Sequence, residues 1–155
     1  MKDFDYDSLT KIEKIIYNSI KRNPGSIQDD NVSPERNFMN IKSQLDNLSA
    51  WAIEDDGFVI LIQPETKHLA RCHFYSENST YNWLKAGKRI TKFIFDNFPF
   101  QKVYNMFGDR RMSVVGKRGG WKHEGVIERA YWDGEKYTDL YIGSVSRDDY
   151  DKFCE

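Results

Sequence analysis

Midway along the chain a histidine, His73, stands near the end of an aromatic and apolar stretch, Leu69–Tyr75, and a carboxylate, Glu77, follows it. An imidazole titrates near neutrality and a carboxylate can accept a proton, so His73 is the first candidate general base and Glu77 the second. Asn78, Ser79 and Thr80 come next, ahead of an amphipathic segment carrying Lys85, Lys88, Arg89 and Lys92. A helix starting there turns unbonded N–H groups toward the preceding strand end, a place suited to a phosphorylated ligand. Ser79 and Thr80 add hydroxyl donors, and Lys85 and Lys88 add positive charge close by. Two rival constellations fail. His68, Cys72 and His73 look like metal ligands, but on a strand His68 and Cys72 lie about 13 Å apart. Gly116–Gly120 is glycine-rich and basic without the Walker spacing, and reads better as a helix end. No metal site is expected, and Cys72 reads as a small buried hydrophobe.

Positioning these residues takes a definite order of elements. Leu9, Ile12, Ile16 and Ile20 recur at helical spacing behind a capping box of Thr10 and Glu13. Ser33-Pro34 starts a second helix, with Phe38, Ile41, Leu45 and Leu48 on one face. Ala50–Glu54 and Phe58–Gln63 form a hairpin about Asp55-Asp56-Gly57, closed by Pro64. Leu69–Tyr75 is a third strand. Trp83, Ala86, Gly87, Ile90, Ile94 and Phe98 then mark the buried stripe of a helix that Pro99 stops. Val103–Phe107 is a strand, and Arg110–Arg118 a short helix ended by Gly119-Gly120. Gly125–Trp132 and Lys136–Val145 pair across Asp133-Gly134, and residues 147–155 form a short helix or tail. The pattern implies one α/β (α+β) domain over 1–155: a helical part to residue 48, a sheet core over 49–146, and the tail. Its sheet is mixed and mostly antiparallel, with one parallel strand–helix–strand crossover and flanking helices.

Composition narrows the partners. With 155 residues, 23 basic against 24 acidic side chains and a net charge of -1, the chain is no general nucleic-acid binder. No apolar run approaches the roughly 20 residues that span a bilayer. The acidic start, Met1-Lys-Asp-Phe-Asp-Tyr-Asp, is no signal peptide, and two cysteines make no disulfide framework, so a cytoplasmic location is expected.

From Leu69 to Val145 the order of elements resembles the GNAT superfamily of N-acetyltransferases, particularly the branch that modifies ribosomal-protein N-termini. The residues carrying the resemblance are Gly120-Trp121-Lys-His-Glu124-Gly125, behind Asp109-Arg-Arg-Met112, and the hairpin from Asp133 to Asp139. The resemblance implies acetyl transfer from acetyl-CoA directly to an amine, on a protein N-terminus, a lysine or a small molecule. It places the thioester against Cys72 to Tyr75, hence on Phe74 and Tyr75. The pyrophosphate falls over Asn78, Ser79 and Thr80, with Lys85, Asp109 and Arg110 around the cofactor. The family's phosphate loop holds glycines, whereas Ser76 to Tyr81 has none. Its thiolate acid is often a tyrosine between Arg110 and Gly120; none stands there, leaving Ser113 or Tyr104. Divergent members encoded by phages share this look, which implies host cytoplasm or virion, with a homodimer or a virion component as partner. The alternative is a scaffold that kept the fold and lost turnover. An open cleft between the central strands is expected of a transferase, and one filled by Trp or Phe of the scaffold.

Overall fold

The computed structural model describes residues 4–23, 33–77 and 83–154, leaving aside the side chains of residues 83–85, 114 and 115. After a 3-10 turn at Tyr6–Ser8, α1 runs over Lys11–Arg22 and α2 over Pro34–Asp46. Thr10 and Glu13 form the expected capping box, and the Ser33 hydroxyl accepts from the Arg36 N–H. The second helix is shorter than its apolar spacing suggested. It ends at Asp46, and Leu48 takes φ 60° and lies 74% exposed.

β1 (Trp51–Asp55) and β2 (Phe58–Pro64) pair antiparallel. Asp56 and Gly57 between them both have positive φ, as a two-residue hairpin turn requires. β3 covers Leu69–Ser76, α3 Trp83–Asn97, β4 Lys102–Phe107 and α4 Arg111–Arg118. β5 (Lys122–Trp132) starts three residues before the expected Gly125, so His123 and Glu124 are strand residues, with a bulge between His123 and Gly125. β6 (Tyr137–Ser146) and α5 (Arg147–Cys154) complete the described chain. Glu124 accepts from Lys102 Nζ at 2.8 Å and from the Ser144 hydroxyl, so it braces the sheet.

The six strands lie in the order β1-β2-β3-β4-β6-β5, and every pairing is antiparallel except β3 with β4. Both sheet faces are covered, which is why Phe58-Val-Ile-Leu-Ile62 reads as an unbroken apolar run and is wholly buried. Phe58, Ile60 and Ile62 pack with Ala70, Cys72 and the α3 residues Ala86, Ile90 and Ile94. Val59 and Leu61 point the other way, into Ile16 and Ile20 of α1 and Phe38 of α2. No helix among the described residues is long and apolar enough to cross a membrane.

Candidate active site

The parallel pairing of β3 with β4 lasts three positions, from Leu69↔Lys102 to Arg71↔Tyr104, although both strands continue. Beyond Arg71 the strands splay. The edge of β3 turned toward β4 is not paired with that strand beyond Arg71. Such an edge offers backbone N–H groups to a ligand.

Each face of the sheet carries a hollow at this splay. On the α3/α4 face is a narrow cavity of about 50 Å³, walled by Phe58, Gly87, Ser113, Gly116 and Trp121. On the α1/α2 face is a groove of about 810 Å³, reached by Gln63, Arg71, His73, Tyr75 and Tyr131. Phe74, Asn105, Phe107 and Met112 belong to both walls, so the hollows meet through the gap in the sheet. Two buried polar atoms there have no hydrogen-bond partner among the described residues: Asn105 Oδ1 and Ser113 Oγ. Asn105 pairs in register with Gly143, and a Cβ on Gly143 would come within 2.8 Å of Asn105 Oδ1. Only glycine leaves that amide room.

Trp121 is the main wall of the small cavity. Gly120, at φ 91°, turns the chain after α4 and drives the indole into the core between α3 and the sheet. Its Nε1–H donates to Thr91 Oγ1 at 3.0 Å, and its ring meets Phe74 edge-on at 5.8 Å between centroids. The cleft is thus open, but two aromatic rings narrow it.

His73 lies on the groove side. Gln63 Nε2 donates to Gln44 Oε1 at 2.6 Å, which leaves Gln63 Oε1 to accept from His73 Nε2 at 2.9 Å. The imidazole therefore carries its proton on Nε2 and keeps Nδ1 as an acceptor. Burial, helped by the Arg71 charge, pushes its pKa down to about 3. So low a value suits a neutral hydrogen-bond acceptor better than a proton store at neutral pH. Between about 6.5 and about 3 the unfolded chain binds a proton that the folded chain refuses. Stability should fall as pH drops through that window, by up to about 1.4 kcal/mol per pH unit from this group. Urea unfolding of the native chain and His73→Gln at pH 7, 6 and 5 measures it. Equal slopes for the two proteins would mean that His73 titrates freely.

The other expected site residues divide. Phe74 and Ser113 line the small cavity, while Tyr75 stacks beside His73 at 6.5 Å on the groove side, where burial raises its phenol pKa. Asp109 reaches the groove but starts α4: it accepts from the Arg111 N–H at 2.9 Å and is held at 2.7 Å by the Arg111 guanidinium, which lowers its pKa. Its charge is thereby offset. Arg110 is exposed and lines neither hollow. Glu77 packs over Gly57 at the β1–β2 turn, outside both hollows. Tyr104 is also outside them. It shares the Arg71 face of the sheet, donates to Glu65 Oε1, and is pushed up to about 12 by burial and that bond. Asn78, Ser79, Thr80 and the Lys85 side chain lie outside the described residues.

Sequence reasoning passed over Arg71, Asn105 and the Gln44–Gln63 relay. Strand alternation already sets Arg71 on the face of His73 and Tyr75. Asn105 is a polar residue on the strand face it shares with Val103 and Phe107. The relay had no sequence signal, because 19 residues separate its two glutamines. Arg22 was also unforeseen: its guanidinium donates to the carbonyls of Ser76 and Glu77 at 2.7 and 3.2 Å, pinning the end of β3.

No protein-family model matches the chain, and no curated protein does. Solved structures do. A spermidine N-acetyltransferase from Vibrio cholerae, in complex with CoA and spermine, superposes with a TM-score of 0.69 at 12% identity, covering 92% of this chain and 94% of the other. The ribosomal-protein-S5-alanine acetyltransferase from Vibrio fischeri gives 0.60 at 10% identity, with 89% of each chain covered. The chain has the GNAT fold.

Proposed function

We propose that this protein is an acetyl-CoA-dependent N-acetyltransferase acting on an amine by direct transfer. The observation that carries the reading is the pair of hollows on opposite sheet faces meeting where β3 and β4 separate. Such an arrangement lets two substrates approach one point from two sides, which lowers the entropic barrier to their reaction. Acetyl-CoA would supply an acetyl group activated as a thioester; the reaction forms an amide N–C bond, breaks the C–S bond and moves one proton from nitrogen to sulfur. Backbone N–H groups of β3 at the splay beyond Arg71 would polarise the acyl carbonyl. Ser113 Oγ, buried and unpartnered among the described residues, faces the small cavity and is the donor suited to the departing sulfur. His73 Nδ1 and Asn105 Oδ1 would orient the amine. The structural neighbours support this reading: one was solved with CoA and spermine, another is named for a ribosomal protein.

The small cavity has room for a few waters, so the arm of CoA must part Phe74 from Trp121 on entry. That narrowness is the observation favouring the second reading, a scaffold without turnover. Calorimetric titration with acetyl-CoA separates the two, a micromolar constant being expected of the transferase. Gly87 supplies the control. It lines the cavity, and nothing lies within 4 Å of a Cβ built there. Gly87→Ala should raise stability by up to about 1 kcal/mol through helix propensity. Gly87→Phe should fill the cavity and weaken acetyl-CoA binding at least about tenfold, in line with a lost steric fit. Absent or millimolar binding by the native chain would leave only the scaffold.

A further inference from the structure

The walls of the larger groove carry an uneven set of charges. Arg22, Arg71, Asp109 and Asp133 are the fully charged side chains among its described residues. Three are engaged. Arg22 donates to the Ser76 and Glu77 carbonyls, Asp109 is paired with Arg111, and Asp133 accepts from the Glu135 and Lys136 N–H groups at 2.8 and 2.9 Å. Arg71 is the exception. It makes no ion pair or hydrogen bond among the described residues, and its Nε is buried without a partner.

Arg71 is half-buried: its Nε is shut off from solvent while the side chain lines the groove. Partial burial of an uncompensated charge carries a desolvation penalty that a well-placed anion offsets. The planar fork of arginine matches a carboxylate through two parallel bonds, which a neutral amide oxygen cannot reproduce. No carboxylate on the described groove wall bonds to Arg71, and Asp109 is already paired with Arg111. We infer that the groove takes an amine that also bears a carboxylate, bound by Arg71. The inference rests on the transferase reading of the site and names the class of its acceptor.

Geometry sets the size of that acceptor. Arg71 and His73 are two residues apart on one face of β3, about 7 Å along the strand. A carboxylate held by the guanidinium thus leaves an amine a few bonds away beside His73 and the splay. Neutralising Arg71 also removes one of the two influences that depress the imidazole, so the correct acceptor would make His73 a better proton acceptor than it is in the empty groove. Substrate and imidazole would be coupled through one cation.

The test compares free α-, β- and γ-amino acids with their carboxamides and with spermidine, using acetyl-CoA and the full chain. A short peptide amide with glutamate beside its amino terminus separates a side-chain carboxylate from a free amino acid. An acid should be preferred over its carboxamide at least about tenfold in kcat/KM, and Arg71→Gln should bring that ratio close to one. Arg71→Met serves as the second variant, since an apolar replacement of a buried charge is often well tolerated. Equal use of acid and carboxamide, preference for spermidine, or a ratio unmoved by both variants overturns the inference and leaves the transferase reading intact. If acetyl-CoA does not bind at all, the transferase reading falls. Thermal shift with the same amino acids alone then decides the Arg71 site. A rise in melting temperature lost in Arg71→Met supports it, and no rise overturns it.

Discussion

Trp121→Ala should destabilise the protein by about 4 kcal/mol, the range for deleting a large buried aromatic side chain. The indole is 8% exposed and packs into the core formed by α3 and the sheet. Removing it leaves a void beside Phe74 and deletes the bond to Thr91 Oγ1. At this chain length the loss corresponds to roughly 8–16 °C in melting temperature. Trp121→Phe separates the two contributions, because the ring volume largely stays and only the N–H donor goes. It should cost about 1 kcal/mol from the bond plus a smaller packing loss. Chemical denaturation with a constant m-value is the measurement. A cost for Trp121→Ala under about 1 kcal/mol would show that the indole is not a core wall. The same variant enlarges the small cavity, so acetyl-CoA binding by whatever fraction remains folded should not be blocked.

Arg147→Met should cost about 3 kcal/mol, taking charged hydrogen bonds at about 1.5–3 kcal/mol each and allowing for water to replace some of them. The guanidinium donates to three carbonyls, those of Phe95, Phe98 and Phe100, at 2.6, 2.8 and 2.9 Å, and stands 5.0 Å from the Phe95 ring centroid. It closes the C-terminal end of α3, where unbonded carbonyls and the helix dipole both favour a cation. Arg147→Lys should recover less than half of the loss, since a single ammonium cannot span three acceptors set around a planar fork. Amide hydrogen exchange at the end of α3 would locate the effect. An unchanged exchange rate there in Arg147→Met would refute it.

Arg147 also marks a boundary of what sequence reading reaches. Residues 147–155 read as a helix or tail, and the helix is there, yet nothing local says that its first side chain binds carbonyls about fifty residues earlier. The capping box at Thr10, the Ser33-Pro34 start and the Asp56-Gly57 turn were all legible, because each acts within four residues of itself. Leu48 went astray for the converse reason: its spacing fits the helix, but the chain leaves the helix two residues before it.

For the site, local order was enough to set His73, Phe74 and Tyr75 on one strand and Ser113 on the helix after β4. The Gly120-Trp121 step was legible as a motif, and the positive φ of Gly120 with the burial of Trp121 supplies its cause. Which face each side chain serves was decided by the register of β3 on β4. Pairing Arg71 with Tyr104 sends Tyr104 to Glu65, and ending the pairing there opens the gap that Asn105 faces. Periodicity, caps and turns are written in neighbouring residues and survive without the rest of the chain. An unpaired guanidinium, a neutral histidine and a split between two strands exist only after distant segments exclude water from the same space.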